Sequence, residues 1–304
     1  MTAIAPPAAW RRALPPGFTV GGWTAPDGWR LRRFDWVAAG ALRGGLFFQV
    51  GRGDIFEKYL EAFGHWHDRG WTVAGFDWRG HGGSGRFDHR QGVKSELAPA
   101  ADDLVRQWRE WAATAPRPHV LIGHSMGGYL SLRALLDGGV RPDALVLVAP
   151  MLGLRSPVGA RAGERIAGWL AGRGTSGVKP PPIDRSRLLT HDLDRYADED
   201  WWHAQLPEHR LGPPSWPWLH EAFVATRQLR EDARLEAVAT PTLMLVADRD
   251  RLVDARAARA VAARMPGAEI VAFPDSAHEI LREVDAIRDA ALAAIDGFLD
   301  RVAP

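Results

Sequence analysis

The sequence predicts an α/β protein: a mainly parallel central sheet, helices on both faces, and one inserted helical segment. Three observations predict it. Apolar, strand-like runs alternate with helix-like stretches along most of the 304 residues, which is the pattern of a parallel sheet with crossover helices. That rhythm breaks once, from Met151 to about Glu236, and then resumes. One apolar run, at 120–123, leads straight into Gly123-His124-Ser125-Met126-Gly127, a G-x-S-x-G turn between a strand and a helix.

The elements follow in order. Residues 29–37 alternate as an early strand, and 45–50 is a short apolar run of a buried strand. Residues 54–69 read as a helix with Phe56, Leu60 and Phe63 on one face. A strand follows at 71–78, then a glycine-rich loop at 80–92. Leu104, Val105, Trp108 and Trp111 mark the inward face of a helix at 99–114. The strand at 120–123 precedes a helix at 126–137, which Gly138-Gly139 stops. The strand at 144–149 ends at Pro150. Residues 151–236 hold no clear strand, only Gly/Pro loops (172–182, 211–217) and short helical stretches. Strand, helix, strand and a closing amphipathic helix then occupy 242–247, 255–265, 269–273 and 284–302. Residues 1–150 and 237–304 therefore form the core domain, and 151–236 form a cap. The cap enters after a strand, at the carboxyl edge where open α/β sheets bind ligands, so it is placed as a lid.

Composition narrows the function. The formal net charge of +1 provides no field to recruit nucleic acid, and no nucleic-acid partner is expected. The chain has no cysteine, which excludes disulfides, thiol catalysis and Cys-ligated zinc. No apolar run is long enough for a signal peptide or a membrane span, which predicts a cytoplasmic protein with peripheral membrane contact left open. His65 and His67 are spaced i, i+2 and point apart on a helix, so no metal site is expected there.

The chemistry centres on Ser125. A serine hydroxyl needs a base to take its proton, and the base needs an orienting acid. His278, just past the last strand, is the candidate base. The acid should follow the strand at 242–247, where Asp248 and Asp250 compete. A short turn closed by the apolar anchor Leu252-Val253 favours Asp250, and Asp254 fits the N-cap of the next helix. An oxyanion needs two aimed N–H donors. The backbone of Met126 supplies one; the other should come from Gly51-Arg52-Gly53, with Arg52 N–H the candidate. Asp77 is expected to hold the adjacent loop as a hydrogen-bond acceptor.

Taken together, these segments resemble the lysophospholipase / monoacylglycerol lipase branch of the α/β hydrolases, often grouped with serine aminopeptidases. The resemblance rests on Gly51-Arg52-Gly53 with Glu57-Lys58-Tyr59, the run from Asp77 to Ser84, and His124-Ser125-Met126-Gly127-Gly128. It also rests on the run from Ala149 to Leu154, Asp250-Arg251-Leu252-Val253, and the run from Ala277 to Glu283. It extends from about residue 45 to the C-terminus and is nearest to bacterial lysophospholipase-like proteins. It implies the α/β-hydrolase fold, a triad of Ser125, Asp250 and His278, and no cofactor. Two departures stand out. Ala247 replaces the family's glycine, and Val50-Gly51 stands where monoacylglycerol lipases have His-Gly.

The expected activity is cleavage of a lipid-like carboxylic monoester, a lysophospholipid or a monoacylglycerol, through an acyl-enzyme. The alternatives are a small-ester carboxylesterase, a serine aminopeptidase, or a hydrolase-fold protein that binds a ligand without catalysis. The cap carries Trp169, Trp201, Trp202, Trp216 and Trp218, which would line an acyl pocket or pack the cap onto the core. From Arg155 to Arg187 it has seven basic residues and two acidic ones. That bias is either solvated loop charge or a lip for a phosphate headgroup or an anionic membrane.

Overall fold

The computed structural model describes residues 11–87, 95–173 and 186–304. Eight strands form one sheet: β1 (Phe18–Thr24), β2 (Arg30–Trp36), β3 (Gly44–Gln49), β4 (Trp71–Phe76), β5 (His119–His124), β6 (Ala144–Val148), β7 (Thr242–Ala247) and β8 (Ala268–Phe273). Their order across the sheet is β1-β2-β4-β3-β5-β6-β7-β8. The β1–β2 and β2–β4 pairings are antiparallel and the rest are parallel. The central strands β3 to β7 are buried along their whole length. This explains their continuous apolar runs, because helices cover both faces of a parallel sheet.

The core helices are α1 (Leu60–His67), α2 (Leu97–Ala112) and α3 (Met126–Leu136). Between β6 and β7 come α4 (Ala160–Ala171), α5 (Ser186–Leu189), α6 (Leu193–Gln205) and α7 (Trp216–Glu231). The chain closes with α8 (Ala255–Ala262) and α9 (Asp285–Val302). No strand occurs between β6 and β7 among the described residues. A single antiparallel bridge, Leu154 to Val253, ties the start of this segment to the loop after β7. Helices α4 and α7 pack together at close range: a Cβ at Gly163 would stand 2.8 Å from the Phe223 ring.

Three expectations need correction. Strand β1 was not predicted. Its sequence, Phe-Thr-Val-Gly-Gly-Trp-Thr, lies on an edge and is mostly exposed, so it carries no buried alternation to read. The helix expected over 54–69 is a single 3-10 turn (Phe56–Tyr59) running into α1. The helix expected over 255–265 ends at Ala262. Much of the loops read at 80–92 and 172–182 lies outside the described residues.

Candidate active site

Ser125 stands at the junction of β5 and α3 in a strained backbone conformation, φ 53° and ψ −117°. A non-glycine residue there costs about 1–3 kcal/mol and persists only where its surroundings impose it. They do. The Ser125 N–H donates to the Val148 carbonyl at 3.0 Å, and the Ser125 carbonyl accepts from Tyr129 at 3.1 Å and Met151 at 2.9 Å. The flanking glycines let the turn close. A Cβ at Gly127 would lie 2.5 Å from the carbonyl oxygens of Gln49 and Val50, and one at Gly123 would lie 2.6 Å from that of Gly127.

The three residues singled out from the sequence meet here. His278 Nε2 lies 2.9 Å from Ser125 Oγ, and His278 Nδ1 lies 2.6 Å from Asp250 Oδ2. The other carboxylate oxygen of Asp250 accepts from the N–H groups of Leu252 at 2.7 Å and Val253 at 3.0 Å. The apolar anchor thus places the acid by donating backbone bonds to it. Asp248 instead pairs with Arg259 at 2.6 Å on the surface, and Asp254 caps α8. Burial pushes the His278 pKa down, but the facing Asp250 carboxylate more than reverses this, so the net shift is upward. Burial pushes Asp250 up, and His278 with the two N–H donors brings it below its usual value. Burial, then repulsion from His278, lowers the neighbouring His124 to about 4. His124 therefore stays neutral wherever His278 titrates.

The loop after β3 lies against the serine. A Cβ at Gly51 would stand 3.2 Å from that of Ser125. Asp54 Oδ2 accepts from the Gly51 N–H at 3.0 Å and from the Tyr59 hydroxyl at 2.9 Å, which fixes this loop. The Arg52 guanidinium lies over the Trp218 ring, 4.8 Å from its centroid. Met126 is buried as the first residue of α3. Asp77 holds the next loop: its carboxylate accepts from Gly83 N–H at 2.9 Å, Phe56 N–H at 3.3 Å and Arg32 at 3.0 Å. Its burial pushes its pKa up to about 6.

Sequence reasoning missed a charge cluster beside the triad. The Lys58 ammonium is buried and meets three carboxylates: Asp54 at 2.6 Å, Glu279 at 2.7 Å and Glu199 at 2.8 Å. Arg282 also pairs with Glu279. The pKa of Lys58 is depressed by burial but raised further by these carboxylates, so it stays charged. One cation thereby joins the loop after β3, the residue next to His278, and helix α6. No sequence signal marks this, because two of the three carboxylates, Glu199 and Glu279, come from distant segments.

A cavity of about 840 Å³ opens over Ser125 and His278. Core and inserted segment both line it, with Met151, Leu189, Leu211, Leu219 and Phe223 among the apolar residues and Arg52, Arg155, Arg210 and Arg251 among the charged ones. Of the five tryptophans expected there, only Trp218 lines it. Trp202 is buried, its indole N–H donating to the Arg11 carbonyl at 3.1 Å, and Trp201 stands edge-on to it. Trp216 begins α7, half-buried and away from the cavity. Trp169 is 57% exposed on α4, with Arg173 over its ring. Among the described residues, no cluster of three or more His, Asp or Glu side chains could hold a metal. Nor is any helix among them long and apolar enough to cross a membrane.

This fold, with a serine at a strained strand–helix turn and a His–Asp pair behind it, defines an α/β-hydrolase. The family of serine aminopeptidases S33 matches residues 40–285, and the chain belongs to it. It is similar to lysophospholipase L2 of Escherichia coli K12, 31% identical over 83% of this chain and 78% of that protein. In structure it resembles a soluble variant of monoglyceride lipase from Saccharomyces cerevisiae in complex with a substrate analog. The TM-score is 0.75 and the identity 18%, over 96% of this chain and 98% of that one. A thermostable carboxyl esterase from Bacillus coagulans gives a TM-score of 0.72 at 19% identity, over 94% and 99% of the two chains.

Proposed function

We propose that this protein is a serine hydrolase that cleaves a lipid monoester, a lysophospholipid or a monoacylglycerol, through an acyl-enzyme. The observation that carries the proposal is the continuous Ser125–His278–Asp250 hydrogen-bonded relay beneath a cavity with a largely apolar lining. Ser125 Oγ attacks the acyl carbonyl while His278 Nε2 takes its proton. Asp250 holds the imidazole and stabilises its charge. The N–H groups of Arg52 and Met126 stabilise the oxyanion. His278 then protonates the leaving alcohol, and a water activated by the same imidazole releases the fatty acid. No step calls for a metal or cofactor. Residues 151–236 act as the cap, with Trp218, Leu219 and Phe223 against the acyl chain.

Two observations favour an ester over a peptide. An aminopeptidase needs a free carboxylate for the substrate ammonium. Glu199 and Asp200 line the cavity, but Glu199 is committed to Lys58 and Asp200 pairs with Arg210 at 3.1 Å. The cap also exposes Val158, Ile166 and Trp169 beside Arg161, Arg165 and Arg173. That combination suits an anionic lipid surface, and we assign peripheral membrane contact to it. Lys179 and Arg185 of the basic stretch lie outside the described residues.

A fluorophosphonate probe tests the chemistry, and a series of p-nitrophenyl esters of increasing chain length tests the substrate class. Labelling with a preference for long acyl chains is expected. A preference for acetyl or butyryl esters would turn the assignment to a small-ester carboxylesterase, and absence of labelling would turn it to a binding protein.

A further inference from the structure

The four consecutive charged residues after β7, Asp248-Arg249-Asp250-Arg251, are not alike. Asp248 pairs with Arg259 at 2.6 Å, Arg249 pairs with Asp275 at 2.7 Å, and Asp250 holds His278. Arg251 has no ion-pair partner among the described residues, and of the four it alone lines the cavity. Arg155 faces the same cavity from the neighbouring strand-like segment. The bridge between Leu154 and Val253 and the bond from Arg155 N–H to the Leu252 carbonyl, 3.0 Å, set the two arginines on adjacent segments. Arg155 donates to the Asp250 carbonyl oxygen at 2.9 Å and has no carboxylate partner among the described residues either. Two other cations of the lining differ: Lys58 is neutralised by its carboxylates, and Arg210 pairs with Asp200.

We propose that Arg155 and Arg251 form a phosphate subsite that favours phosphate-bearing monoesters over uncharged ones. Two guanidinium groups without carboxylates present several N–H donors to one anion, in the geometry that matches phosphate oxygens. The Asp250 carboxylate makes no ion pair with either arginine; its two oxygens accept from Leu252, Val253 and His278. A neutral glycerol headgroup would leave the two cations uncompensated. The proposal rests on the ester-hydrolase reading of Ser125 and narrows its substrate.

The test compares lysophosphatidylglycerol with a monoacylglycerol of the same acyl chain, in wild type, Arg251→Gln, Arg155→Gln and the control Arg249→Gln. The ratio of kcat/KM for the two substrates should favour the phospholipid in wild type. It should fall about tenfold in each cavity variant, mostly through KM, and hold in Arg249→Gln. Because Arg155 also braces Asp250, the ratio is the readout rather than the rate. A second arm measures inhibition of p-nitrophenyl butyrate hydrolysis by sn-glycerol 3-phosphate and by inorganic phosphate. The glycerol phosphate should inhibit competitively, with Ki rising about tenfold in Arg251→Gln. An unchanged substrate ratio and an unchanged Ki would overturn the subsite. Inhibition by inorganic phosphate alone, with the ratio unmoved, would assign a free-anion site and overturn the headgroup assignment. If wild type cleaves the p-nitrophenyl ester but neither lipid, the proposed substrate class fails, and the glycerol phosphate arm still decides the subsite.

Discussion

The floor of the site and its roof are built differently. The floor comes from strand ends. Ser125, Asp250 and His278 follow β5, β7 and β8, and their reactive atoms are tied to one another or to backbone N–H groups. The roof comes from helices and loops between β6 and β7, with exposed ion pairs such as Arg210–Asp200, an exposed tryptophan, and Arg155, which lines the cavity and reaches down to the Asp250 carbonyl. Chemistry needs fixed atoms, and a sheet whose central strands are buried on both faces supplies them. Substrate choice needs an adaptable surface, and loops on a rigid scaffold supply that. The contrast teaches that mutations in the floor should abolish turnover, whereas those in the roof should redistribute it among substrates.

The largest effects should therefore lie in the floor. Ser125→Ala should lower kcat by about 10⁴-fold or more and abolish fluorophosphonate labelling. Asp250→Asn should lower kcat by about 10⁴-fold by admitting the wrong imidazole tautomer. Asp248→Asn, two residues away but paired on the surface with Arg259, should leave kcat near wild type. Equal losses in Asp248→Asn and Asp250→Asn would break the distinction between the two carboxylates.

Next comes the joint between floor and roof. Lys58→Met removes the cation that joins Asp54, Glu199 and Glu279; Arg282 still faces Glu279 and Glu199, but the buried Asp54 loses its ion-pair partner. A loss of about 3–5 kcal/mol in unfolding free energy is expected, measured by urea denaturation. Arg210→Gln breaks a pair whose side chains are both more than half exposed and should change stability by no more than about 1 kcal/mol. Similar losses in the two variants would mean that the joint is no more buried than the lip.

The two regions also differ in how far the sequence revealed them. Ser125 and Asp250 were legible because apolar runs mark the ends of the buried strands β5 and β7, whereas His278 follows the mostly exposed edge strand β8 and was legible from its place just past the last strand. The choice between Asp248 and Asp250 needed the turn and its apolar anchor, whose N–H groups do bond the acid. Lys58 was visible only as part of a motif, since its role depends on carboxylates 4, 141 and 221 positions away. The tryptophans were illegible in a different way. An indole that packs, one that lines a cavity and one that faces solvent are the same letter, and without a strand the roof has no periodicity to tell them apart. Edge strand β1 escaped for a related reason: two glycines and an exposed surface leave no buried stripe.

A pH profile sharpens the floor further. Only neutral His278 can accept the serine proton, so kcat/KM should rise with pH as the imidazolium is lost. Asp250 raises the His278 pKa beyond what burial takes away. The acid limb should therefore have its midpoint above the ordinary histidine value of 6.5. His124, held to about 4, should contribute nothing above pH 5. A midpoint well below 6.5 would show that burial, not Asp250, governs the base.

The smallest effects should come from the roof, and two tryptophans separate its inner from its outer surface. Trp218 is buried, lines the cavity and stacks under Arg52. Trp218→Ala should raise KM for long-chain esters more than for short ones, by about tenfold, since a large buried ring leaves the acyl wall. Trp169 faces solvent on α4 with Arg173 over its ring. Trp169→Ala should shift unfolding by no more than about 0.5 kcal/mol, as exposed substitutions do. Its effect should instead appear as weaker co-sedimentation with anionic vesicles and a lower ratio of activity on vesicle-borne to monomeric ester. Equal sedimentation of wild type with anionic and neutral vesicles would remove the electrostatic part of the proposed membrane contact. A chain-length shift in Trp169→Ala would mean that α4 folds inward over the cavity when substrate binds.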